Sequence, residues 1–138
     1  MRLKEQRLWD RLSANLKHRT LWLRRIENRV GEGDPDVNAL CNGIFTAIEL
    51  KSVESWPVRD ATPVLGRKGL SVAQRNWHMK CKQHRGRSII IVGVGGEIIL
   101  AVDGSWHDQI NHMTRPEMLR EALAVGYGEI AFSLGVRP

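Results

Sequence analysis

Apolar positions along the chain fall into two alternating rhythms. From Leu3 to about Leu16, the residues Leu8, Trp9, Leu12 and Leu16 recur every three or four positions, the spacing of one helical face. A second stretch, from about Thr20 to Arg29, places Leu23, Ile26 and Val30 at similar intervals and predicts another helix. His18-Arg19-Thr20 reads either as a joint between the two or as the interior of one, and Gly31 and Gly33 stop the run. The rhythm then changes. "VNAL" and "IFTAIELK" flank "CNG", and Asn42-Gly43 between β-type runs is a strong hairpin signal, because both central residues of a type I′ turn need positive φ.

If Asn42 and Gly43 form the loop, Cys41 pairs with Ile44, and Asp36 comes to lie opposite Glu49. Opposed residues share a sheet face, with Cβ atoms roughly 4.5–5.5 Å apart. Lys51, two residues beyond Glu49, shares that face. Register alone therefore gathers two carboxylates and an amine at one end of a hairpin.

Residues 52–70 carry two prolines and two glycines without a clean period and predict a long loop. "SVAQ" at 71–74 is a capping box that opens a helix to about His84, with Ala73, Trp77 and Cys81 as its buried stripe. "SIIIVGV" and "EIILAVD" predict strands joined at Gly95-Gly96. "TRPE" at 114–117 is a second capping box, opening a helix that ends near Gly126, followed by a short tail. The predicted order is helix, strand, strand, loop, helix, strand, strand, helix: a single α/β domain over 1–138 with a mixed central sheet.

Charge sharpens this picture. The net charge is +6, but it is distributed in blocks. Residues 1–30 carry +6, 31–60 carry −4, 61–87 carry +7 and 88–138 carry −3. Basic blocks of this kind draw in phosphate backbones. An acidic block between them would repel the same partner unless a divalent cation neutralised it. Charges scattered over a solvated surface would give the same totals. Cys41 and Cys81 lack paired spacing and read as free thiols in a reducing cytoplasm. No apolar run reaches membrane-spanning length, and "MRLKEQRLWDRL" has no secretory apolar segment, so no membrane partner is expected.

Hard carboxylate oxygens from Asp36 and Glu49 suit Mg²⁺ or Mn²⁺ rather than zinc. Lys51 beside them could orient or deprotonate a water, or stabilise charge on a phosphate. An ordinary surface hairpin would also accommodate an Asp, a Glu and a Lys, and "ExK" alone is common. "PD", the hairpin register, "ExK" and a basic helix together favour metal-assisted phosphodiester hydrolysis. His107, Asp108 and His112 match no standard zinc spacing and read as turn polarity. His78 and His84 read as helix-face residues. Trp56 in the long loop could stack on an unpaired base or anchor the loop.

"GDPDV" followed by "IELKS", "LSVAQRNW" and "GRSIIIVGV" resembles the PD-(D/E)XK nuclease superfamily, most closely the stand-alone phage-type members of the virus-type replication-repair nuclease group. The resemblance covers about Ile26 to Asp103 and treats 1–19 and 104–138 as additions to a core of about 20–103. It implies a restriction-endonuclease-like core of helix, three-stranded antiparallel meander, helix and strand. Its implied cofactor is Mg²⁺ or Mn²⁺. By position it assigns Asp36, Glu49 and the Leu50 carbonyl to the metal and Lys51 to catalysis. It also assigns Glu27, as the glutamate at the end of the first core helix, to the metal or a second one, and gives Gln74 a place behind the site. Asp34 is not required by the pattern.

The chain is thus expected to be a metal-dependent DNA endonuclease of the bacterial or phage-infected cytoplasm, selective for branched DNA such as four-way junctions, and a homodimer. Arg67, Lys68, Arg75, Lys82, Arg85 and Arg87 are the expected phosphate contacts. One rival is a nicking or degradative nuclease of packaging, recombination or restriction. A rival of another class is a non-catalytic DNA-binding module. Pairing is expected through the stripe Leu8, Trp9, Leu12 and Leu16 on a second copy, with its packing on the chain's own domain as the alternative.

Overall fold

The computed structural model describes residues 3–27 and 33–138. Helix α1 spans Leu3–Asn15, as its apolar spacing predicts. Its stripe is buried within the same domain: Leu8, Leu12 and Leu16 enter a core cluster with Ile48, Leu50, Ile89 and Ile91 of the sheet. The helix approaches closely because Gly93 lacks a side chain; a Cβ there would sit 2.9 Å from Leu8 Cδ1. Pairing through this stripe is therefore corrected. It is core, as the intramolecular alternative had it.

The helix expected over Thr20–Arg29 is also corrected. Leu21–Arg25 is strand β1, and residues 28–32, which the expectation partly covered, lie outside the described residues. Leu23 and Ile26 fit a helical interval, but Leu21 and Leu23 also alternate with Trp22 and Arg24. Pairing with β2 (Val37–Cys41) selects the period of two. Strand β3 (Ile44–Val53) pairs with β2 in the expected register, Cys41 opposite Ile44 and Val37 opposite Ile48. Asn42 (φ 51°) and Gly43 (φ 80°) both take the left-handed conformation that the two-residue turn requires.

The ordered segment 54–71 follows, with a 3-10 turn at Gly66–Lys68. It is tied down by Val64 N–H donating to the Met113 carbonyl and by Asn111, which exchanges two hydrogen bonds with the Leu70 backbone. Helix α2 (Val72–Gln83) carries the chain over the sheet to β4 (Ser88–Val94), which pairs parallel to β3. β5 (Ile98–Asp103) returns antiparallel to β4. Helix α3 occupies Arg115–Glu121, capped by Thr114 and Glu117 as expected. It ends before Gly126. Ala124–Val125 adds a short strand, β6, beside β5, and Tyr127–Leu134 forms α4. Gly126 and Gly135, both at positive φ, bound α4.

The sheet runs β1-β2-β3-β4-β5-β6, antiparallel except between β3 and β4. On one face, Ile48, Leu50, Ile89, Ile91 and Ala101 pack under α1 and α4. On the other, Ile90, Val92, Leu100 and Val102 pack under Val64, Leu65, Leu70, Ile110, Met113 and Met118. Glu49, Lys51 and Val53 alternate onto this second face. Over β1–β3 the same face is open, and Trp22, Leu40 and Phe45 form an exposed cross-strand ladder. Among the described residues, no helix is long and apolar enough to cross a membrane.

Helix α2 buries a different line from the one expected. Trp77 is half-buried, whereas His78 is wholly buried, its Nδ1 2.9 Å from Ser88 Oγ. Burial holds the His78 imidazole down to a pKa of about 4, with the positive fields of His107, Lys82 and Lys51 adding and Asp103 opposing. The unfolded chain takes up this proton near the ordinary value of 6.5, so it binds more protons than the folded chain between the two values. The contribution to stability is complete above pH 6.5 and is lost as pH falls from 6.5 to about 4, by roughly 3 kcal/mol at most. Urea denaturation across this window should show the loss in the wild type and a smaller one in His78→Leu. Parallel pH profiles for the two would contradict it.

Candidate active site

Five of the residues singled out in the sequence meet where β2, β3 and α2 converge. The hairpin register carries Asp36 to the position facing Glu49, one step beyond the Val37–Ile48 pair. Both carboxylates are almost completely buried, at 2% and 1% exposure. Asp36 Oδ2 accepts a 2.8 Å hydrogen bond from the Leu50 N–H. A strand residue's N–H and C=O point to the same edge, so the Leu50 carbonyl also faces the Asp36 side. Ile26 N–H donates to the Asp36 carbonyl at 2.8 Å and anchors this segment to the end of β1.

Lys51 lies beside them, 8% exposed, and its Nζ donates to Gln74 Oε1 at 3.1 Å. Gln74 also donates from Nε2 to Glu49 Oε2 at 3.3 Å. The same side chain completes the capping box: its Oε1 accepts from Ser71 N–H, and its backbone N–H donates to Ser71 Oγ. Capping and site contact are therefore one arrangement, because the third helical residue points down the helix N-terminus onto β3. Gly33 makes the close approach possible from the other side. At φ 82°, it packs so tightly on the first turn of α2 that a Cβ would overlap the Ala73 carbonyl.

Glu27 is not on a helix. It is an exposed residue just after β1, one position past Ile26. The helix preceding the meander is α1, whose first-turn acid is Glu5. His78, which reads in sequence as a helix-face residue, is instead wholly buried, with its Nε2 4.0 Å from Glu49 Oε1. Its spacing of four from Gln74 was the available signal.

Two buried carboxyl groups and one lysine side chain stand together there. Asp36, Glu49 and the Leu50 carbonyl are hard oxygen donors, so the residues fit a divalent cation of the Mg²⁺ or Mn²⁺ type. Among the described residues, no group of three or more His, Cys, Asp or Glu side chains is placed to hold a metal ion. His107 pairs with Asp108 at 3.1 Å.

The expected phosphate contacts divide. Arg67 and Lys68 are exposed and line a cavity of about 430 Å³ with Trp56, Pro57 and Val53, the residue two beyond Lys51 on the same face. Arg85 is exposed at the end of α2, at φ 61°. Lys82 is tied to Asp103 at 3.3 Å, and Arg75 is half-buried. Arg87 donates to Thr46 Oγ1 and to the Ser133 carbonyl, holding β3 and α4 together. The Trp56 ring is half-buried, with the Arg115 guanidinium 5.0 Å above it. Lys4, Arg7 and Arg11 of α1 line a second cleft, of about 330 Å³, with Ser52 and Glu54 at the same end of β3. They were not among the expected contacts, although the first basic block contains them.

No family model matches the sequence. No curated protein matches it either. Among solved structures, the chain is similar to Hjc, a Holliday junction resolvase from the archaeal hyperthermophile Archaeoglobus fulgidus. The two share 14% identity and a TM-score of 0.61, over 96% of this chain and 98% of that one. At that identity the likeness is one of fold: an α/β, restriction-endonuclease-like architecture with a mixed central sheet flanked by helices, as the motif resemblance implied.

Proposed function

We propose that this protein is a divalent-metal-dependent DNA endonuclease that acts on branched DNA, with Asp36, Glu49, Lys51 and Gln74 as its centre. One observation carries the reading: these four side chains converge around β3 in a chain that shares its fold, end to end, with a Holliday junction resolvase. The finer placement, among phage-type replication-repair nucleases, rests on the sequence motifs alone.

Asp36, Glu49 and the Leu50 carbonyl would hold Mg²⁺ or Mn²⁺. When bound, the ion supplies Lewis acidity at a phosphate oxygen. Lys51, steadied by Gln74, presents an ammonium to a phosphate oxygen or to the attacking water. Gln74 orients Glu49 and Lys51 together. Glu27, exposed one residue beyond Ile26, would support that metal or a second one. Arg67 and Lys68, with Arg7 and Arg11 across β3, hold the phosphate backbone leading to Lys51. Arg85 extends that contact along α2. Lys82, Arg75 and Arg87 contribute less, because their side chains are engaged or half-buried within the fold.

A two-fold junction calls for two sites, and we assign the pairing of two copies to the exposed ladder of Trp22, Leu40 and Phe45. The ladder shares the sheet face of Glu49 and is large and apolar for a solvated strand surface. Sedimentation at micromolar concentration should give a dimer for the wild type and a monomer for Phe45→Glu. A monomeric wild type that still makes paired cuts would leave assembly on the DNA in its place.

Labelled four-way junction and matched linear duplex, incubated with Mg²⁺, Mn²⁺ or EDTA, test the activity itself. Asp36→Ala and Glu49→Ala should abolish cleavage and spare junction binding in EDTA. Lys51→Ala should keep Mn²⁺ binding and lose turnover. Wild-type cleavage by either carboxylate variant would remove the assignment. Binding without cleavage by the wild type under every metal condition would favour the non-catalytic module. Faster cutting of linear duplex would favour the nicking or degradative nuclease.

Arg67→Ala and Lys68→Ala should each weaken junction binding alike across sequences and lower the salt slope by about one unit. Lys82→Ala should change the slope less, since Asp103 already holds that ammonium. An unchanged slope in Arg67→Ala and Lys68→Ala would show that the cavity beside Trp56 does not meet phosphate.

A further inference from the structure

His78 sits one helical turn after Gln74 and is wholly buried. Gln74 Nε2 donates to Glu49 Oε2, and His78 Nε2 faces the other oxygen, Oε1, at 4.0 Å. Helix α2 therefore presents a nitrogen to each oxygen of one carboxylate, from positions four residues apart. The imidazole is fixed from behind by Ser88 Oγ at 2.9 Å from Nδ1. Gly104 closes the slot: a Cβ there would overlap Ser88 Oγ and come within 3.1 Å of His78 Nδ1.

The tautomer follows once Glu49 is ionised, as a metal ligand must be. A serine hydroxyl can donate or accept, but an ionised carboxylate accepts only. The proton is favoured on Nε2, toward Glu49, and Ser88 then donates to Nδ1. At 4.0 Å the N–H and carboxylate attract as charge and dipole, and a shift of about 1 Å would bring them to hydrogen-bond length.

We propose that His78, locked by Ser88, is a positioning residue that holds the Glu49 carboxylate in the orientation needed to bind a divalent cation. This rests on the reading of Asp36 and Glu49 as the metal ligands. A buried histidine that merely filled the core would leave metal affinity untouched. Groups that orient a ligating side chain from behind typically alter metal affinity by about 10- to 100-fold when removed.

Calorimetric titration with Mn²⁺ alone separates the possibilities, with junction binding in EDTA and thermal melting followed in parallel. His78→Leu should weaken Mn²⁺ binding about tenfold or more and leave junction binding in EDTA within about twofold. His78→Gln, which keeps an amide N–H near the position of Nε2, should recover Mn²⁺ affinity to within about threefold of wild type. Wild-type affinity in His78→Leu, or no recovery in His78→Gln, would overturn the inference. Should His78→Leu fail to fold, Ser88→Ala decides. It keeps the imidazole but releases the tautomer, and should weaken Mn²⁺ about threefold or more; unchanged affinity there would overturn the inference equally. Asp36→Asn distinguishes this failure from that of the underlying reading. If Asp36→Asn loses Mn²⁺ while His78→Leu keeps it, the ligands stand and the role of His78 falls. If the wild type binds no Mn²⁺, or Asp36→Asn binds it fully, both fall.

Discussion

Two left-handed residues, Asn42 and Gly43, set the register on which the rest of the site depends. Side chains on a strand alternate strictly, so a slip of one residue would carry Asp36 and Glu49 to the apolar face under α1 and α4. The opposite requirement acts on the same strand. Ile48 and Leu50 must reach that apolar face, and their complete burial pins β3 as firmly as the turn does. Core packing and the polar cluster are thus two sides of one alternation. The closing of the turn also brings Asp36 to the Leu50 N–H, which begins satisfying a carboxylate that burial would otherwise penalise heavily.

The parallel pairing of β3 with β4 adds the second constraint. Parallel neighbours need a crossover, and here the crossover includes α2, laid across the second face of the sheet. Its capping box then has two tasks. Gln74 closes the helix N-terminus and bridges Glu49 to Lys51, while His78, one turn later, reaches Ser88 and faces Glu49. Gly33 and Gly104 permit these close approaches, one at each end of the line. The polar cluster is costly to bury, but helix, strand and hairpin each contribute a donor to it, which is how such networks become tolerable.

Most of the elements were legible because their signals are local. Asn-Gly marked the hairpin, Ser71-Gln74 and Thr114-Glu117 marked two helix starts, and Leu8-Leu12-Leu16 marked α1. Register arithmetic then placed Asp36 beside Glu49. What escaped was decided by tertiary pairing. "LWLRR" satisfies both periods well enough that only the presence of β2 as a neighbour makes it a strand. The ends of α3 and α4 were obscured because two residues of β6 are too short to leave a pattern. His78 escaped because Trp77, the larger apolar residue, marks a stripe one position away, and a histidine's burial depends on the Ser88 hydroxyl that meets it.

Charge totals were legible in amount but not in use. The basic block between Arg67 and Arg87 reads in sequence as one phosphate-facing surface. In the fold, Lys82 is held by Asp103 and Arg87 ties β3 to α4, so part of that charge serves the domain's own stability. The cations that do line clefts come from two distant segments, Arg67 and Lys68 on one side of β3 and Arg7 and Arg11 on the other, beside Lys4, which is paired with Glu54 at 2.8 Å. They gather at the end of the strand that carries Lys51. Acid at the centre and base at the rim is the arrangement expected if a polyanion must approach buried carboxylates. Such a rim would attract a polyanion over a distance of about a Debye length, while the carboxylates would act at contact, where a cation could offset them. The opposed charge blocks of the sequence are therefore compatible, because folding sorts them by depth rather than by position along the chain.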